Sequence, residues 1–128
     1  MSKPIVFISH FKVKEGKLDE FKQLSQKVTE QIKADKPGTF TFLQYTNDEG
    51  TELSIIHIFP DAEAFDKHNE GVGERASRAF ELIVPTRREI YGLPGDQAMA
   101  ILTPPEGSDI TLNQMPQLMG GYIRLKAE

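Results

Sequence analysis

Cysteine and tryptophan are both absent from this chain of 128 residues. Without cysteine, neither a disulfide framework nor a thiolate metal site can form. A chain that needs no disulfides suits a reducing compartment, and the predicted location is therefore cytoplasmic.

Positive charge of the kind that binds nucleic acid is also lacking. The 15 Lys and Arg residues are outnumbered by 19 Asp and Glu residues, which gives a formal net charge of −4. The two signs are interspersed along the chain, with no basic stripe. Nucleic acid is therefore not an expected partner.

Long hydrophobic runs are missing as well. No run approaches the roughly 20 apolar residues of a membrane-spanning helix, so no membrane partner is predicted. The apolar-rich run Ile5–His10 is too short for a signal peptide with its cleavage site. The chain is nevertheless long enough to bury a core, which predicts a single domain over residues 1–128.

Hydrophobic periodicity predicts five elements in the first two thirds of the chain. In order they are a strand over Ile5–Val13, a helix from Leu18 to about Lys36, strands over Thr39–Tyr45 and Leu53–Phe59, and a helix capped by Asp61. Gly71 and Gly73 interrupt the apolar face of the second helix, so a kink or break is expected there.

This order of elements predicts an α+β fold of the ferredoxin-like βαββαβ type, an antiparallel sheet with two main helices on one face. The core is assigned to residues 4–84, with a closing strand at about 117–126. Residues 85–116 are predicted as an irregular extension, with a short helix or strand at Asp96–Leu102 and an edge strand at Ile110–Leu112.

The central strands carry apolar residues on both faces. Val6 and Ile8 fall on the second face of the first strand, and Ile56 and Ile58 on that of the third. Helices can cover only one face, and an exposed apolar face usually marks an interface. A homodimer formed by packing two sheets face to face is therefore predicted. The alternative is a monomer whose C-terminal segment covers that face.

Three segments carry a resemblance to a known family. They are FKVKEGKLDEF (Phe11–Phe21), KPGTFTFLQY (Lys36–Tyr45) and IIHIFPDAEAFDKH (Ile55–His68). In this order and at these separations, they resemble the antibiotic biosynthesis monooxygenase superfamily of dimeric α/β barrels. The segment after about Pro85 does not share the resemblance.

The resemblance implies a homodimer with a pocket between sheet and helices in each subunit. Some members of the family oxidise quinols or aromatic polyketides with neither metal nor flavin, and others degrade haem. The haem-degrading members use a pocket tryptophan, which this chain lacks. No cofactor and no metal are therefore predicted.

His68 is the predicted catalytic residue. It follows Phe65 by three positions on the apolar stripe of the second helix, where it would face the sheet and titrate near neutral pH. It would deprotonate or orient a phenolic substrate, because oxygenation without a cofactor needs a substrate anion that passes an electron to O₂. The alternative is that His68 only bridges buried groups within the fold.

The predicted substrate-binding residues are Phe7, Phe42, His57, Phe65 and Tyr122. His57 lies on the same strand face as Phe59 and would approach His68 if that face meets the helices; a structural role for it is the alternative. His10 falls on the other face of its strand, which disfavours a three-histidine metal site.

Two functions follow from these residues. The first is a cofactor-independent monooxygenase that acts on a small aromatic or quinol substrate. The second is a non-catalytic dimeric domain that binds a small apolar ligand.

Overall fold

Five strands and four helices form the regular structure of residues 3–124, the part of the chain that the computed structural model describes. In chain order they are β1 (Ile5–Val13), α1 (Leu18–Asp35), β2 (Thr41–Thr46), β3 (Glu52–Phe59), α2 (Ala62–Asn69), α3 (Val72–Ala79), β4 (Ile83–Tyr91), α4 (Asp96–Leu102) and β5 (Thr111–Met115).

The sheet has the strand order β2-β3-β1-β4-β5. The first four strands pair antiparallel with their neighbours, which is the ferredoxin-like arrangement, so the predicted fold class is confirmed. β5 extends the sheet by pairing parallel to β4. The edge strand expected near Ile110–Leu112 therefore exists, and it continues to Met115.

Local signals explain where the second helix begins and breaks. Asp61 caps α2, because its carboxylate accepts a hydrogen bond from the Ala64 backbone N–H at 2.8 Å. Gly71 then adopts a left-handed conformation with φ of 77°, which glycine reaches without steric cost. The break expected near Gly71 and Gly73 thus separates α2 from α3.

The closing strand lies elsewhere than the sequence indicated. β4 pairs with β1 along its length, whereas residues 117–124 contain no helix or strand, and residues 125 and 126 lie outside the described part. The prediction of a closing strand at about 117–126 was therefore wrong.

The sequence did not indicate β4 as the closing strand, because Pro85 and the charged residues 87–89 are unusual within a strand. The register between β1 and β4 shifts at a bulge between His10 and Phe11, and Pro85 lies beside this bulge, opposite Phe11. β5 pairs only with residues 87–91, so at Pro85 β4 has β1 as its one neighbour in the sheet.

Residues 85–116 are also more ordered than expected, because they contain most of β4 together with α4 and β5. For Asp96–Leu102 the sequence allowed a short helix or a strand, and the structure shows a helix, α4, with Gly95 at its N-cap. Its Ala98 and Leu102 are buried against Phe59 and Phe65. The single domain over residues 1–128 stays a prediction.

All four helices lie on one face of the sheet, and two hydrophobic clusters fill the space between. One cluster joins Ile5, Phe59 and Phe65 to α4, and the other joins Phe21 and Leu53 to residues after α3. Among residues 3–124, no helix combines the length and the hydropathy of a transmembrane span.

The opposite face, here called the open face, has no helix over it. Cross-strand partners fix its members: Val6, Ile8, His10 and Lys12 of β1; Thr41, Leu43 and Tyr45 of β2; Glu52, Ser54, Ile56 and Ile58 of β3; Val84, Arg87, Glu89 and Tyr91 of β4; and Thr111, Asn113 and Met115 of β5. Leu43 is 46% exposed and Tyr45 is 57% exposed. The apolar surplus predicted for this face is therefore present in the structure.

Gly38 allows the chain before β2 to approach α2, and its replacement tests that packing. A Cβ at Gly38 would lie 2.8 Å from the Ala64 Cβ, so we expect Gly38→Ala to lower the free energy of unfolding by about 1–3 kcal/mol. Gly73→Ala is the control, because no atom lies within 4 Å of its Cβ position and alanine favours the helix. Chemical denaturation measures both; equal stability of the two variants would contradict the close packing.

Candidate active site

His57 and His68 meet between the sheet and α2. Their ring centroids lie 5.1 Å apart with the planes at 77°. His57 comes from the centre of β3, where it pairs with Phe7 of β1 and Phe42 of β2. The two histidines are only 6% and 5% exposed. The sheet register therefore places the two residues that the sequence singled out in one buried cluster.

Aromatic rings surround this pair on several sides. Phe7 stacks on His57 at 5.1 Å, and Phe42 meets His57 edge-on at 5.2 Å. Phe65 lies 5.8 Å from Phe7. We call the group of Phe7, Phe42, His57, Phe59, Phe65 and His68 the aromatic cluster. The structure thus brings together five of the six site residues predicted from the sequence.

Phe59 is a member of the cluster that the predicted site omitted. Its ring lies 5.1 Å from His68 and 4.8 Å from Phe65. The alternation of β3 already placed Phe59 on the same face as His57, so the signal was present in the sequence.

Tyr122 lies apart from the aromatic cluster. It follows β5 in an irregular segment, its side chain is 80% exposed, and its ring packs under the guanidinium of Arg124 at 5.0 Å. Gly120 and Gly121 before it lie in the same exposed segment. A role for Tyr122 in substrate binding therefore stays a prediction without geometric support.

The proton position on His57 follows from its partner. His57 Nδ1 lies 3.1 Å from the Phe7 carbonyl oxygen, which can only accept, so Nδ1 carries the proton. Burial lowers the pKa of His57 to about 4, more than the hydrogen bond to Phe7 raises it. The ring is therefore neutral at pH 7, and its Nε2 is an unprotonated hydrogen-bond acceptor.

His68 is neutral for a similar reason. Burial, together with the neighbouring His57, Arg75 and Lys36, lowers its pKa to about 3. Its Nδ1 shares a hydrogen bond of 2.8 Å with the Thr39 hydroxyl. The pKa near neutrality expected from the sequence is not found, because the sequence does not reveal the depth of burial.

Thr39 and Arg75 hold His68 in place, and sequence reasoning missed both. The Arg75 guanidinium donates from α3 to the backbone oxygens of His68 at 2.6 Å and Glu70 at 3.2 Å. Arg75 thereby spans the break at Gly71 and fixes the end of α2. No motif marks either residue; only the fold brings them to His68.

His10 lies on the open face, across the sheet from the other two histidines. Its Nε2 donates to the Glu89 carboxylate at 2.7 Å, and its Nδ1 is hydrogen-bonded to Ser54 at 2.8 Å. This bond to His10 is the main reason that the pKa of Glu89 is lowered. Within residues 3–124, no three metal-ligating side chains converge on one point.

A surface groove of about 360 Å³ runs beside the aromatic cluster. It is lined by the end of α1, by Lys36, Pro37 and Gly38, and by one side of α2. None of its lining residues belongs to the aromatic cluster. The two histidines are buried and do not open into this groove.

The depressed histidine pKa values predict how stability depends on pH. Below pH 6.5 both histidines become protonated in the unfolded chain. In the folded chain His57 stays neutral down to about pH 4 and His68 down to about pH 3. We expect the free energy of unfolding to fall with decreasing pH by about 1.4 kcal/mol per unit for each histidine. Urea titrations between pH 7 and 4.5 measure this slope.

The matched variant for this measurement is His68→Gln, which removes one of the two groups. For this variant the free energy of unfolding is expected to change less steeply with pH than for the wild type, by about 1.4 kcal/mol per pH unit, which is the contribution of one proton. Equal slopes in the two proteins would show that His68 is not held in its neutral form.

The sequence and the fold both connect this chain to known proteins. The family model described as antibiotic biosynthesis monooxygenase matches residues 4–80, which is more than half of the chain. No curated protein gives a significant match.

Solved structures share the fold at low sequence identity. MupZ from Pseudomonas fluorescens has a TM-score of 0.68 and 20% identity, over 94% of this chain and 91% of its own. SnoaB, a cofactor-independent oxygenase from Streptomyces nogalater, has a TM-score of 0.61 and 18% identity, over 73% of this chain and 96% of its own.

A third similar structure, Rv0793 from Mycobacterium tuberculosis, has a TM-score of 0.58 and 17% identity, over 73% of this chain and 97% of its own. At these identities the likeness establishes the fold alone. Together with the family model, it shows that the chain belongs to the antibiotic biosynthesis monooxygenase family.

Proposed function

We propose that the protein is a cofactor-independent monooxygenase that acts on a small aromatic or quinol substrate. The observation that carries the proposal is the pair of neutral histidines inside a cage of phenylalanine rings. Once opened, such a cage suits a flat apolar ring, and an imidazole acceptor suits its hydroxyl group. The family membership and the oxygenase SnoaB among the similar structures support the same class of reaction.

The low pKa values determine the order of events at His68. A phenol such as tyrosine has a pKa near 10, whereas that of His68 is about 3, so full proton transfer in the empty site would cost on the order of 9 kcal/mol. In the proposed tautomer, Nδ1 of His68 donates to the Thr39 hydroxyl, so Nε2 first accepts a hydrogen bond and orients the hydroxyl group of the substrate. Negative charge that develops on the substrate oxygen then raises the imidazole pKa and promotes proton transfer.

The substrate anion supplies the electron that activates O₂. Oxygen then adds to a ring carbon, one oxygen atom stays in the product, and the other leaves as water with two hydrogens from the substrate. His57 contributes a second acceptor, its Nε2, because its Nδ1–H donates to the Phe7 carbonyl oxygen. The apolar cage strengthens each of these electrostatic interactions by excluding water.

Access to the site is proposed to involve α3. This helix has no buried side chain, and it is joined to α2 through the left-handed Gly71. Arg75 is the contact that ties it to the oxygens at the end of α2. In this proposal, displacement of α3 breaks these hydrogen bonds and opens the His68 end of the aromatic cluster.

The proposed partner is a second copy of the chain, bound through the open face. Ile8 and Ile56 are neighbours at the centre of this face, and the exposed side chains of Leu43 and Val84 lie nearer its rim. Two such faces packed together would remove this apolar surface from water. The proposal includes the cytoplasmic location, which cell fractionation would test.

The second candidate function is a non-catalytic dimeric domain that binds a small apolar ligand. It is favoured by the hydrogen bonds that already occupy one nitrogen of each histidine, to Phe7 and to Thr39. In that case both imidazoles serve the fold, and the phenylalanine cage alone binds the ligand.

Oxygen consumption with a panel of quinols and anthrone-type aromatics distinguishes the two functions. We expect His68→Ala to reduce kcat/KM by about 10²-fold or more, because the base or orienting group is lost. His10→Gln is the matched control, since His10 lies on the other face of the sheet, and it should keep the wild-type rate. If neither the wild type nor His68→Ala consumes oxygen but both still bind the ligand, the non-catalytic function is supported. Equal rates in the wild type and His68→Ala would remove His68 from the mechanism.

Sedimentation equilibrium tests the partner. At micromolar concentration the wild type is expected at twice the chain mass of 14.4 kDa. Ile56→Glu should give a monomer, because a carboxylate at the centre of the packed faces would be buried without a partner. Glu74→Gln on the exposed side of α3 is the control. A wild-type species at the single-chain mass would contradict the dimer.

A further inference from the structure

Ser9 is a buried polar residue to which the proposed function gives no role. It is 5% exposed, and among residues 3–124 the other buried polar residues are His57 and His68. The register of β1 with β4 pairs Ser9 with Arg88. Because side chains alternate along a strand, both residues face the helices, as Phe7 does two positions before Ser9. Ser9 and Arg88 thus form a polar row beside the row that contains Phe7 and His57.

Arg88 brings a guanidinium group to this side of the sheet. Its Nη1 donates to the backbone oxygen of Leu102, the last residue of α4, at 2.9 Å. Within residues 3–124 the guanidinium makes no other hydrogen bond, and no carboxylate forms an ion pair with it. Burial lowers the pKa of Arg88, so its charge is partly withdrawn from water. Four of the five N–H donors of this cation are therefore left for another acceptor.

The sheet and α4 together place Arg88 beside the aromatic cluster. Phe7 is the diagonal neighbour of Arg88 across the β1–β4 pair, at a Cα separation of about 7–8 Å that long side chains can span. Leu102, whose oxygen Arg88 binds, is buried in one hydrophobic cluster with Phe65. On the opposite side Phe7 pairs with His57 of β3. The guanidinium and the histidine pair therefore lie on opposite sides of the Phe7 strand.

These two ends of the site offer complementary hydrogen-bonding groups. The histidine pair accepts from a hydroxyl group, whereas Arg88 and Ser9 donate. A carbonyl oxygen suits these donors, and a neutral ring that carries it suits the uncharged imidazoles. When the carbonyl is conjugated with the hydroxyl group, loss of the hydroxyl proton moves negative charge onto the carbonyl oxygen. The guanidinium then binds the deprotonated ring more tightly than the neutral ring, which favours proton transfer.

We propose that Arg88 and Ser9 bind a substrate carbonyl oxygen that is conjugated with the hydroxyl group bound by the histidine pair. This inference rests on the proposed function and names its substrate class, a hydroxylated aromatic ketone. It also explains how a proton can reach Nε2 of His68, although the pKa of that imidazole is about 3. Arg88 stabilises the anion that remains and so lowers the pKa of the substrate hydroxyl group.

A matched pair of ligands tests the carbonyl contact by binding alone. The probe 6-hydroxy-1-tetralone carries a carbonyl conjugated with its hydroxyl group, and 5,6,7,8-tetrahydro-2-naphthol is the same two-ring skeleton without the carbonyl. Calorimetric titrations without oxygen give both Kd values. We expect the wild type to bind the tetralone at least tenfold more tightly, because a charge-assisted hydrogen bond is added. A wild type that binds the two ligands equally, or binds neither, overturns the proposal.

Three variants assign the preference to its residues. Arg88→Met should weaken tetralone binding at least tenfold and leave naphthol binding unchanged, and Ser9→Ala should weaken tetralone binding about threefold. Arg87→Met is the matched control, because Arg87 is the next residue of β4 and belongs to the open face. It should bind both ligands as the wild type does.

Arg88 also binds the end of α4, so a purely structural role needs its own readout. Loss of that support would weaken the binding of both ligands alike, and this result for Arg88→Met would contradict the carbonyl contact. Arg88→Lys keeps the cation and should retain part of the preference for the tetralone. An Arg88→Lys variant that folds as the wild type does and shows no preference would show that the charge has no part in binding.

The ultraviolet absorption of the bound tetralone reports its charge, because its phenolate absorbs at longer wavelength than its phenol and the protein has no tryptophan. Bound to Arg88→Met, the hydroxyl group should ionise about one pH unit higher than when bound to the wild type. Equal ionisation in the two proteins would contradict the stabilised anion.

The outcomes separate this contact from the proposed oxygenase. A wild type that prefers the tetralone but consumes no oxygen with any quinol or anthrone would keep the carbonyl contact and remove the oxygenase. A wild type that consumes oxygen but binds both ligands equally would keep the oxygenase and overturn the contact.

Discussion

The antiparallel pairing of β1 with β3 is the interaction on which both functional surfaces depend. The register sets Phe7 opposite His57 on the side of the helices, and Ile8 opposite Ile56 on the open face. Because side chains alternate along a strand, a slip of one residue would exchange the two surfaces. Sequence on these two strands therefore specifies the buried histidine pair on one face and an apolar surface on the other.

Burial then determines the chemistry of the site more than residue identity does. A solvated histidine titrates near pH 6.5, but His57 and His68 lie among phenylalanine rings and beside each other. Desolvation of two neighbouring imidazoles favours the neutral form of both. The site thus offers acceptors rather than cations, which suits a neutral hydroxylated ring better than an anionic substrate.

Much of this arrangement was predictable from periodicity. The alternation of Ile5–Val13, the helical stripe from Leu18, and the Asp61 cap each appear where the sequence indicated them. The helix position of His68 three residues after Phe65 likewise predicted that it would face the sheet. These are local signals, and they predict the structure well here because the local preference of each segment agrees with its place in the fold.

The parts that the sequence did not predict depend on contacts between distant residues. β4 was missed because Pro85 and the charged residues after it are typical of a loop, and the bulge between His10 and Phe11, beside Pro85, is visible only in the paired sheet. Thr39 and Arg75 reach His68 through the turn before β2 and the break at Gly71. The His10–Glu89 pair joins β1 to β4, so it could be predicted only if the position of the closing strand was known.

The central claim is that the two buried imidazoles accept hydrogen bonds from an aromatic substrate. Nitrogen chemical shifts of ¹⁵N-labelled histidine, recorded anaerobically with a bound hydroquinone, test it most directly. The account predicts that Nε2 of His57 or His68 moves toward the value of a hydrogen-bonded acceptor while the His10 signals stay in place. Binding of the hydroquinone with both imidazoles unchanged would contradict it.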